Sequence, residues 1–471
     1  MGQEIPTSQF SQHDFARFSR RLREETALFG QYLQSGRFDC QGAVGGFELE
    51  AWLVDQRGAP SPINEEFLKR LHSPLVVSEL SSFNIEINGT PQPLKGRALT
   101  QIRQELENIW AQCRATAAQS AADLVAIGIL PSVRETDLNL TCMSPSQRYR
   151  ALNEQVLTLR RGAPLQLDIQ GREHLCTTHH DVMLEAATTS FQIHLQVPAD
   201  RAVRLYNAAI IAAAPMVAVS ANAPFLFGHD LWDETRIPLF EQSVDIGATG
   251  HKRVTFGNRY AQGSLLECFE ENLLHYPVLL PIDMDQDPGR FSHLRLHNGT
   301  IWRWNRPLVG FDSNGTPHLR IEHRVVPAGP SLIDSLANAA FFFGLAYALS
   351  NLPEPPEHRL EFAEARENFY KAARESLAAS IHWFDGTLSP LQGLVTKQLI
   401  PVARAGLEQL GIAAEEIATY LDIIQSRAGS GQTGASWQRR WVARYGRDWE
   451  GLCRAYMERQ RAGRPVHEWD Y

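Results

Sequence analysis

Apolar and polar residues alternate in five short stretches of this chain, as they do in strands that bury one face. Successive side chains of a strand point to opposite faces of a sheet, so the polar members of each stretch share a face. These members are glutamate, histidine, glutamine, asparagine and arginine. The five stretches are 47–53, 83–88, 190–197, 293–297 and 319–325. They predict a sheet with one face on the core and one face that collects carboxylates, imidazoles and guanidiniums.

Helical spacing of apolar residues dominates elsewhere and fills the last third of the chain. It predicts helices over 8–34, 98–121, 145–160, 199–218, 331–350, 358–383, 387–408, 413–427 and 436–462. A buried strand is expected over 124–130, a loop over 219–245, and further strands between 294 and 326. Strands followed by a helical last third indicate an α+β fold rather than a regular βαβ alternation. We expect one catalytic domain over 1–471, with 331–471 as a helical elaboration.

Composition narrows the class of protein. With 471 residues, 44% of them hydrophobic, the chain can bury a large core, and its net charge of −8 argues against a nucleic-acid binder. Six cysteines are scattered without a CxxC pair, which is typical of free thiols in a reducing cytoplasm. The longest apolar run, 207–227, contains Pro215 and Asn222. It therefore predicts a buried helix that runs into a loop, in a soluble protein rather than a membrane protein.

The spacing of Glu48 and Glu50 adds an energetic argument about the polar face. Two carboxylates about 4 Å apart repel each other by roughly 4 kcal/mol at an effective dielectric constant near 20. A divalent cation removes that repulsion, and Mg²⁺ prefers carboxylate oxygens. A solvated sheet face is the more usual explanation for any one strand, and only the five strands taken together favour a site equally. The residues alone leave both interpretations open.

Three other motifs favour structural explanations. The GxGxxG match at 429–434 has a predicted helix before it, whereas a dinucleotide loop needs a strand there, so we expect a connection between helices. Four aromatic residues recur at every fourth position from Trp437 through Trp441 and Tyr445 to Trp449. That spacing predicts a buried helical stripe rather than a base-stacking surface. His179 and His180 have no partner at metal-binding spacing, so a structural role is expected for them.

Several motifs occur in the same order as in one known family of enzymes. They are Gly46-Phe-Glu48-Leu-Glu50, Glu79 with Glu86, Gly128 to Pro131, Arg148-Tyr-Arg150, Ser190 to His194, Ser220 to Phe225 with Gly228 and Arg236, Arg320 to Arg324, Arg366 to Arg374, and Gly434 to Arg439. With these motifs the chain resembles the glutamate–cysteine ligase and carboxylate–amine ligase family of the glutamine synthetase-like superfamily. Ala223, Ser376, Ser436 and Trp437 depart from the family pattern, which leaves the acceptor amine open.

The resemblance implies both a fold and a reaction. The fold is a glutamine synthetase/guanido kinase-like catalytic domain: a curved, mainly antiparallel sheet with one polar concave face, flanked by helices. The reaction phosphorylates the γ-carboxylate of glutamate with ATP and joins it to an amine, with L-cysteine and γ-glutamylcysteine, for glutathione biosynthesis, as the leading expectation. A different acceptor amine and a guanidino-kinase-type phosphotransferase are the alternatives. The implied cofactors are ATP and two or three Mg²⁺ ions, with Mn²⁺ as a substitute.

The resemblance also implies roles for particular residues. Metal binding falls to Glu48, Glu50, Glu79, Glu86 and Glu322, ATP binding to Gln192 and His194, stabilisation of the transferred phosphoryl group to Arg320 and Arg324, and substrate binding to Asn222 and Arg236. Ion pairing with the glutamates is the alternative role of the two catalytic arginines. We expect small-molecule substrates, no nucleic acid and no membrane, and leave a homo-oligomer open. Replacing Glu322 with alanine is expected to abolish ATP turnover and to leave folding intact.

Overall fold

An eight-stranded antiparallel sheet forms the centre of the chain in this computed structural model, which describes residues 5, 7–39, 42–247 and 251–471. The strands among the described residues are β1 (Val44–Asp55), β2 (Val76–Ser78), β3 (Asn84–Asn88), β4 (Gln92–Pro93), β5 (Ala122–Val125), β6 (Leu165–Gln170), β7 (His174–His179), β8 (Phe191–Val197), β9 (Phe225–Leu226), β10 (His229–Asp230), β11 (Val254–Thr255), β12 (Trp302–Arg303), β13 (Asn305–Phe311), β14 (Pro317–His323), β15 (Ser380–His382) and β16 (Leu388–Pro390). The central sheet has the order β13-β14-β8-β1-β3-β2, and β4 and β5 also pair with the long strand β1.

Helices surround the sheet and make up most of the last third of the chain. They are α1 (Gln12–Gln34), α2 (Asn64–Leu71), α3 (Ala98–Ala118), α4 (Gln147–Leu159), α5 (Ala202–Ser220), α6 (Arg236–Ser243), α7 (Leu266–His275), α8 (Ser292–Gly299), α9 (Leu332–Ser350), α10 (Phe362–Glu375), α11 (Leu391–Leu394), α12 (Ile400–Leu410), α13 (Ala414–Ser430), α14 (Gly434–Tyr445) and α15 (Trp449–Ala462). The fold is therefore α+β, as the sequence predicts.

The apolar face of the sheet packs against two apolar helices. Leu49, Ile193 and Ile321 are completely buried, α5 contacts β13 and β14, and α9 contacts β8. Both helices are long and apolar enough to cross a membrane, yet 89% and 83% of their apolar windows are buried inside the protein. Helices that are apolar on every side are typical of such central positions. The predicted buried helix in the 207–227 run is α5.

Four of the five alternating stretches are strands, and the fifth is a helix. The stretch 293–297 belongs to α8, so the prediction of a strand there is wrong. The buried residues of this segment are His293, Leu294, His297 and Asn298, which is the spacing of one helical face. Five residues are too few to tell this helical spacing from the alternation of a strand. His293 lies away from the sheet face, with Nδ1 2.6 Å from a carboxylate oxygen of Glu25.

Local turns account for most of the other differences. The strand expected over 124–130 ends at Val125, and the loop expected over 219–245 contains α6. Pro238 lies in the first turn of α6, where a proline costs no helical hydrogen bond. The sequence also gives no prediction of α2, α7 or the hairpin β6–β7. The helices expected over 358–383 and 387–408 are wrong at the residues that form β15 and β16. The helix expected over 436–462 is divided into α14 and α15, and the other expected helices are present with shifted ends.

The motifs interpreted as structural behave mostly as expected. The 429–434 segment joins α13 to α14. Trp437 and Trp441 are buried, but Tyr445 is 51% exposed, so the predicted stripe is wrong at that position. The reason is that α14 ends there, before Trp449 begins α15. Cys40 lies outside the described residues, and the other five cysteines are free thiols.

Candidate active site

The register of the central sheet brings the predicted polar residues onto one face. Glu50 lies opposite Glu86 where β1 pairs with β3, and Glu48 lies opposite Gln192 where β1 pairs with β8. Opposed residues of antiparallel strands point to the same side of a sheet. The next pair, between β14 and β8, is Glu322 opposite His194. Three strand pairings thus place side chains from distant parts of the sequence beside each other.

Glu48, His194 and Glu322 form the first group, called here the histidine cluster. One potential ligand atom from each of them lies within 4.8 Å of the other two. His194 Nε2 is 3.4 Å from Glu48 and 3.8 Å from Glu322, measured to a carboxylate oxygen. Burial lowers the pKa of His194, which favours the neutral imidazole that binds metal ions.

Two arginines balance the charge of this cluster from inside the protein. Arg306 donates to both carboxylate oxygens of Glu322, at 2.8 and 3.0 Å, and Arg324 donates to one of them at 3.0 Å. Burial opposes ionisation of this carboxyl, but Arg306 and Arg324 hold the pKa of Glu322 well below its usual range. Glu322 is therefore a permanent buried anion held between two guanidiniums.

Glu50, Glu79 and Glu86 form the second group, called here the carboxylate cluster, in which ligand atoms also lie within 4.8 Å of one another. Burial and then the charge of Glu48 raise the pKa of Glu86 to about 7. Burial followed by Glu86 and Glu50 raises the pKa of Glu79 well above its usual value. Burial also raises the pKa of Glu50, although Arg324 acts in the opposite direction. The proximity of like charges makes this group costly without a cation.

Gln192 connects the two clusters. Its Nε2 donates to Glu50 at 2.8 Å, and its Oε1 accepts a hydrogen bond from Arg324. Both ends of the amide are therefore engaged by other residues of the site. This arrangement supports a role in positioning Glu50 and Arg324, and it does not support the predicted role in ATP binding.

A cavity of about 1020 Å³, called here the sheet cavity, opens beside the histidine cluster. Glu48, His194 and Arg320 line it from the sheet, and Phe311 and Tyr347 add aromatic surface. The Nε of Arg320 donates to His194 Nδ1 at 3.1 Å, so this guanidinium orients the imidazole. The volume matches the upper range of small-molecule sites, which usually combine apolar walls with a few polar groups.

The two residues predicted to bind substrate are occupied by structural partners. Arg236 is 2% exposed, and it donates to Glu234 at 3.1 Å and to the carbonyl oxygens of Arg324 and Val325 at 3.1 and 2.6 Å. It therefore supports the end of β14 next to Arg324. These contacts favour a structural role for Arg236 over the predicted clamp on a substrate carboxylate.

Asn222 is completely buried and joins four segments of the chain. Its Nδ2 donates to the carbonyl oxygen of Ala328 at 2.7 Å and to the hydroxyl of Tyr456 at 2.8 Å. Its Oδ1 accepts from Gln438 at 3.0 Å, and its backbone N–H donates to Glu234 at 2.9 Å. The donors of its side chain are all used inside the protein, so this geometry does not support substrate binding.

Two residues of the site, Arg306 and Glu185, are not predicted from the sequence. Arg306, in β13, pairs in register with Glu322, and periodicity gives no signal for it, because Asn305 beside it is also polar. Glu185 is a half-buried acid in an otherwise apolar segment before β8. Burial and the charge of Glu50 raise its pKa to about 8. A lone carboxylate among apolar residues is a signal that could have drawn attention to it.

The donor atoms of both clusters fit a divalent cation. Glu48 Oε2 and His194 Nε2 are buried and make no hydrogen bond within the described part of the chain. Buried polar atoms normally have a partner, and an ion supplies one here. Carboxylate oxygens and a neutral imidazole suit Mg²⁺ or Mn²⁺. Glu48, His194 and Glu322 would hold one ion, and Glu50, Glu79 and Glu86 another.

Comparison with known proteins agrees with this geometry. The family model of glutamate–cysteine ligase family 2 matches residues 44–459. The chain belongs to this family. It is accordingly a ligase, and the resemblance found in the sequence motifs is confirmed. A search of curated protein sequences found no significant match.

One solved structure shows the same fold at low sequence identity. A glutamate–cysteine ligase from Francisella tularensis, solved in complex with AMP, is 12% identical, with a TM-score of 0.51 over 90% of each chain. A bifunctional glutathione synthetase from Pasteurella multocida is also 12% identical, with a TM-score of 0.48, and the match spans 93% of this chain and 55% of that one. The first likeness confirms the glutamine synthetase-like fold with its curved antiparallel sheet.

Proposed function

We propose that this family member is an ATP-dependent glutamate–cysteine ligase that forms γ-glutamylcysteine. The observation that carries the proposal is the pair of clusters on one sheet face, with Arg324 between Glu322 and Gln192. Membership of glutamate–cysteine ligase family 2 supports the class of reaction. The AMP in the Francisella tularensis structure supports a nucleotide as the second ligand.

The chemistry explains why such a face is useful. A carboxylate is a poor electrophile, because its negative charge repels an incoming amine. Transfer of the γ-phosphoryl group of ATP to the γ-carboxylate of glutamate makes an acyl phosphate, and the amine then displaces inorganic phosphate. Phosphoryl transfer depends mainly on positioning and on charge neutralisation. Bound Mg²⁺ would neutralise the ATP phosphates and bring their oxygens to the two clusters.

Residues of the chain supply the remaining neutralisation and the positioning. The Nε of Arg324 is buried and makes no hydrogen bond within the described residues, so it is available to a phosphoryl oxygen. Arg306 keeps Glu322 ionised and in place. Arg320 lines the sheet cavity and orients His194. In this proposal ATP occupies the sheet cavity, with its phosphates near Glu48 and its remainder among the aromatic residues.

The chemistry of the second step does not select the acceptor amine, since any amine that loses its proton can attack an acyl phosphate. L-Cysteine is proposed because the family is defined by that acceptor. Another amino acid or amine remains the second candidate, since Ala223, Ser376, Ser436 and Trp437 depart from the family pattern. We further propose a cytoplasmic enzyme that acts on small molecules only.

One assay tests the proposal: release of ADP with glutamate alone, then with cysteine, with a panel of other amines, and with guanidino compounds. ADP release that requires glutamate and cysteine together, with γ-glutamylcysteine as product, is the expected result. Turnover with another amine keeps the ligase and changes the acceptor. Turnover with a guanidino compound in place of glutamate contradicts the ligase and supports a phosphotransferase.

A further inference from the structure

We propose that a second cavity, of about 710 Å³, binds a small molecule through a phosphate or carboxylate group. This arginine cavity lies between the β6–β7 turn, the segment 231–233, the end of α10 and the α13–α14 connection. It shares no lining residue with the sheet cavity. The inference does not depend on the function proposed above. Its volume lies in the usual range for small-molecule sites.

The charge of the lining points to an anion. The lining includes the arginines at 172, 374, 439 and 440, against the carboxylates of Asp233 and Glu375. Arg439 is already neutralised, because it donates to Asp230 at 2.7 Å and pairs with Asp233. These pairs consume the charge of Asp233. Arg172 Nη1 also lies 3.9 Å from a carboxylate oxygen of Asp230. The guanidiniums of Arg374 and Arg440 are left, and they outnumber the remaining carboxylate of the lining, Glu375.

Arg374 is the best candidate for the main contact. Its guanidinium lies over the ring of Trp232, 4.5 Å from the ring centroid, and makes no hydrogen bond or ion pair within the described residues. Stacking on an aromatic face holds a guanidinium in place and leaves the N–H groups at its edge free. A planar fork of donors of this kind suits a phosphate or a carboxylate, which can accept two hydrogen bonds at once.

Arg440 supplies a second positive charge with neutral partners. Its Nη1 donates to Gln432 Oε1 at 2.9 Å and to the hydroxyl of Tyr471. No carboxylate lies within 4 Å of its guanidinium nitrogens among residues 5, 7–39, 42–247 and 251–471. Its position is therefore fixed while its charge remains uncompensated. Arg440 is exposed to solvent and lines the cavity, so its charge, although screened by water, adds to the attraction for an anion there.

The GxGxxG segment, which the ligase reaction does not use, contributes to the same cavity. Gly431 and Thr433 line it, and Gly434 begins the twelve-residue helix α14. The N-terminal end of a helix carries a partial positive charge, which adds to the attraction for an anion. The segment is not a dinucleotide-binding loop, and in this proposal it forms part of the wall of an anion site.

Titration calorimetry of the full chain with inorganic phosphate and, separately, with acetate at constant ionic strength tests this proposal. We expect saturable binding of at least one probe, weakened about tenfold or more by Arg374→Gln, because the variant loses a charge-assisted bidentate contact. Tighter binding of phosphate would identify a phosphoryl ligand, and tighter binding of acetate a carboxylate ligand.

Arg366→Gln is the matched control, because Arg366 is exposed on the same helix, α10, and does not line the cavity. Arg320→Gln controls for phosphate binding in the sheet cavity. Binding that survives both controls and fails in Arg374→Gln supports the proposal. If Arg374→Gln unfolds, Arg440→Gln replaces it. The proposal is overturned if neither probe binds at about 50 mM, where a site of millimolar affinity is full, or if Arg320→Gln alone abolishes binding.

Discussion

The two clusters on the sheet face contain similar ligand atoms but differ in how their charge is balanced. In the histidine cluster, Arg306 and Arg324 pair with Glu322, whose pKa lies well below its usual range. In the carboxylate cluster, the pKa of Glu86 is raised to about 7 by burial and by neighbouring carboxylates. The first cluster carries its counter-charges within the protein. The second depends on protons or on a bound cation.

Because of this difference, mutations in one cluster should mainly affect the stability of the fold, and mutations in the other should mainly affect ligand binding. Changes in the histidine cluster should damage the fold first, because its ions are buried and mutually dependent. Changes in the carboxylate cluster should relieve repulsion in the free protein and damage metal binding. Mutations and changes of pH can show whether one cluster governs stability and the other governs metal binding.

The largest effect is expected for Glu322→Gln. Removing this charge leaves Arg306 and Arg324 buried without their anion, so the free energy of unfolding should fall by about 3–5 kcal/mol. The sequence analysis expected folding to survive loss of Glu322, and the structure argues against that expectation. Chemical denaturation measures the loss. Glu65→Gln, in the exposed pair with Lys69, is the control and should cost less than about 1 kcal/mol.

The metal-free protein should lose stability as the pH rises from 4.5 to about 7 through the titration of Glu86. Its pKa is higher in the folded state than in the unfolded state, so the folded state binds more protons in this window and stability falls as pH increases. A loss of about 1–3 kcal/mol is expected across the window. Denaturation in the presence of a chelator measures it. An identical pH dependence in Glu86→Gln would contradict the assignment.

Glu86→Gln should weaken Mg²⁺ binding at pH 8 by about tenfold or more, because the variant loses one anionic ligand. Mg²⁺ at 100 times its dissociation constant stabilises a one-site protein by about 2.7 kcal/mol, and that gain should shrink in the variant. Thermal unfolding with and without Mg²⁺ gives the comparison. Glu107→Gln, on the exposed side of α3, should leave the gain unchanged.

The smallest effect on stability is expected for Arg320→Gln. Arg320 is half-buried at the sheet cavity, where it donates to His194 Nδ1 at 3.1 Å and its Nη1 lies 3.4 Å from His318 Nε2. Its loss should change the free energy of unfolding by less than about 1 kcal/mol. The KM for ATP should rise by about tenfold, as for a lost charge-assisted contact. Steady-state kinetics measures the KM, and an unchanged KM would remove Arg320 from the nucleotide site. Arg97→Gln, at an exposed position, is the matched control.

The polar face of the sheet could be predicted from the sequence, because its residues lie at alternate positions within single strands. Glu48 and Glu50 in β1, Glu86 in β3 and Glu322 in β14 follow from the strand period alone once the strands are assumed to share a sheet. Glu79 has no such signal, since it follows the end of β2, and only the family resemblance points to it. The metal, nucleotide and phosphoryl roles of these residues remain predictions.

Long-range pairing is the part that the sequence does not reveal. The contact between Arg306 and Glu322 depends on the register of β13 against β14, and the burial of Arg236 depends on Glu234 and two backbone carbonyls. Neither follows from periodicity. In the segment 293–297 the local alternation predicts a strand, but the packing of α8 against α1 favours a helix.

Asn222 joins the end of α5 to residues that are far apart in the chain, including Gln438 and Tyr456. During synthesis the ribosome makes the sheet more than a hundred residues before it makes α15. Asn222 can therefore bond to Glu234 and Ala328 early, but it lacks Gln438 and Tyr456 until the last helices emerge. The nascent sheet consequently passes through a stage without these closing contacts, when exposed apolar surface is prone to aggregate.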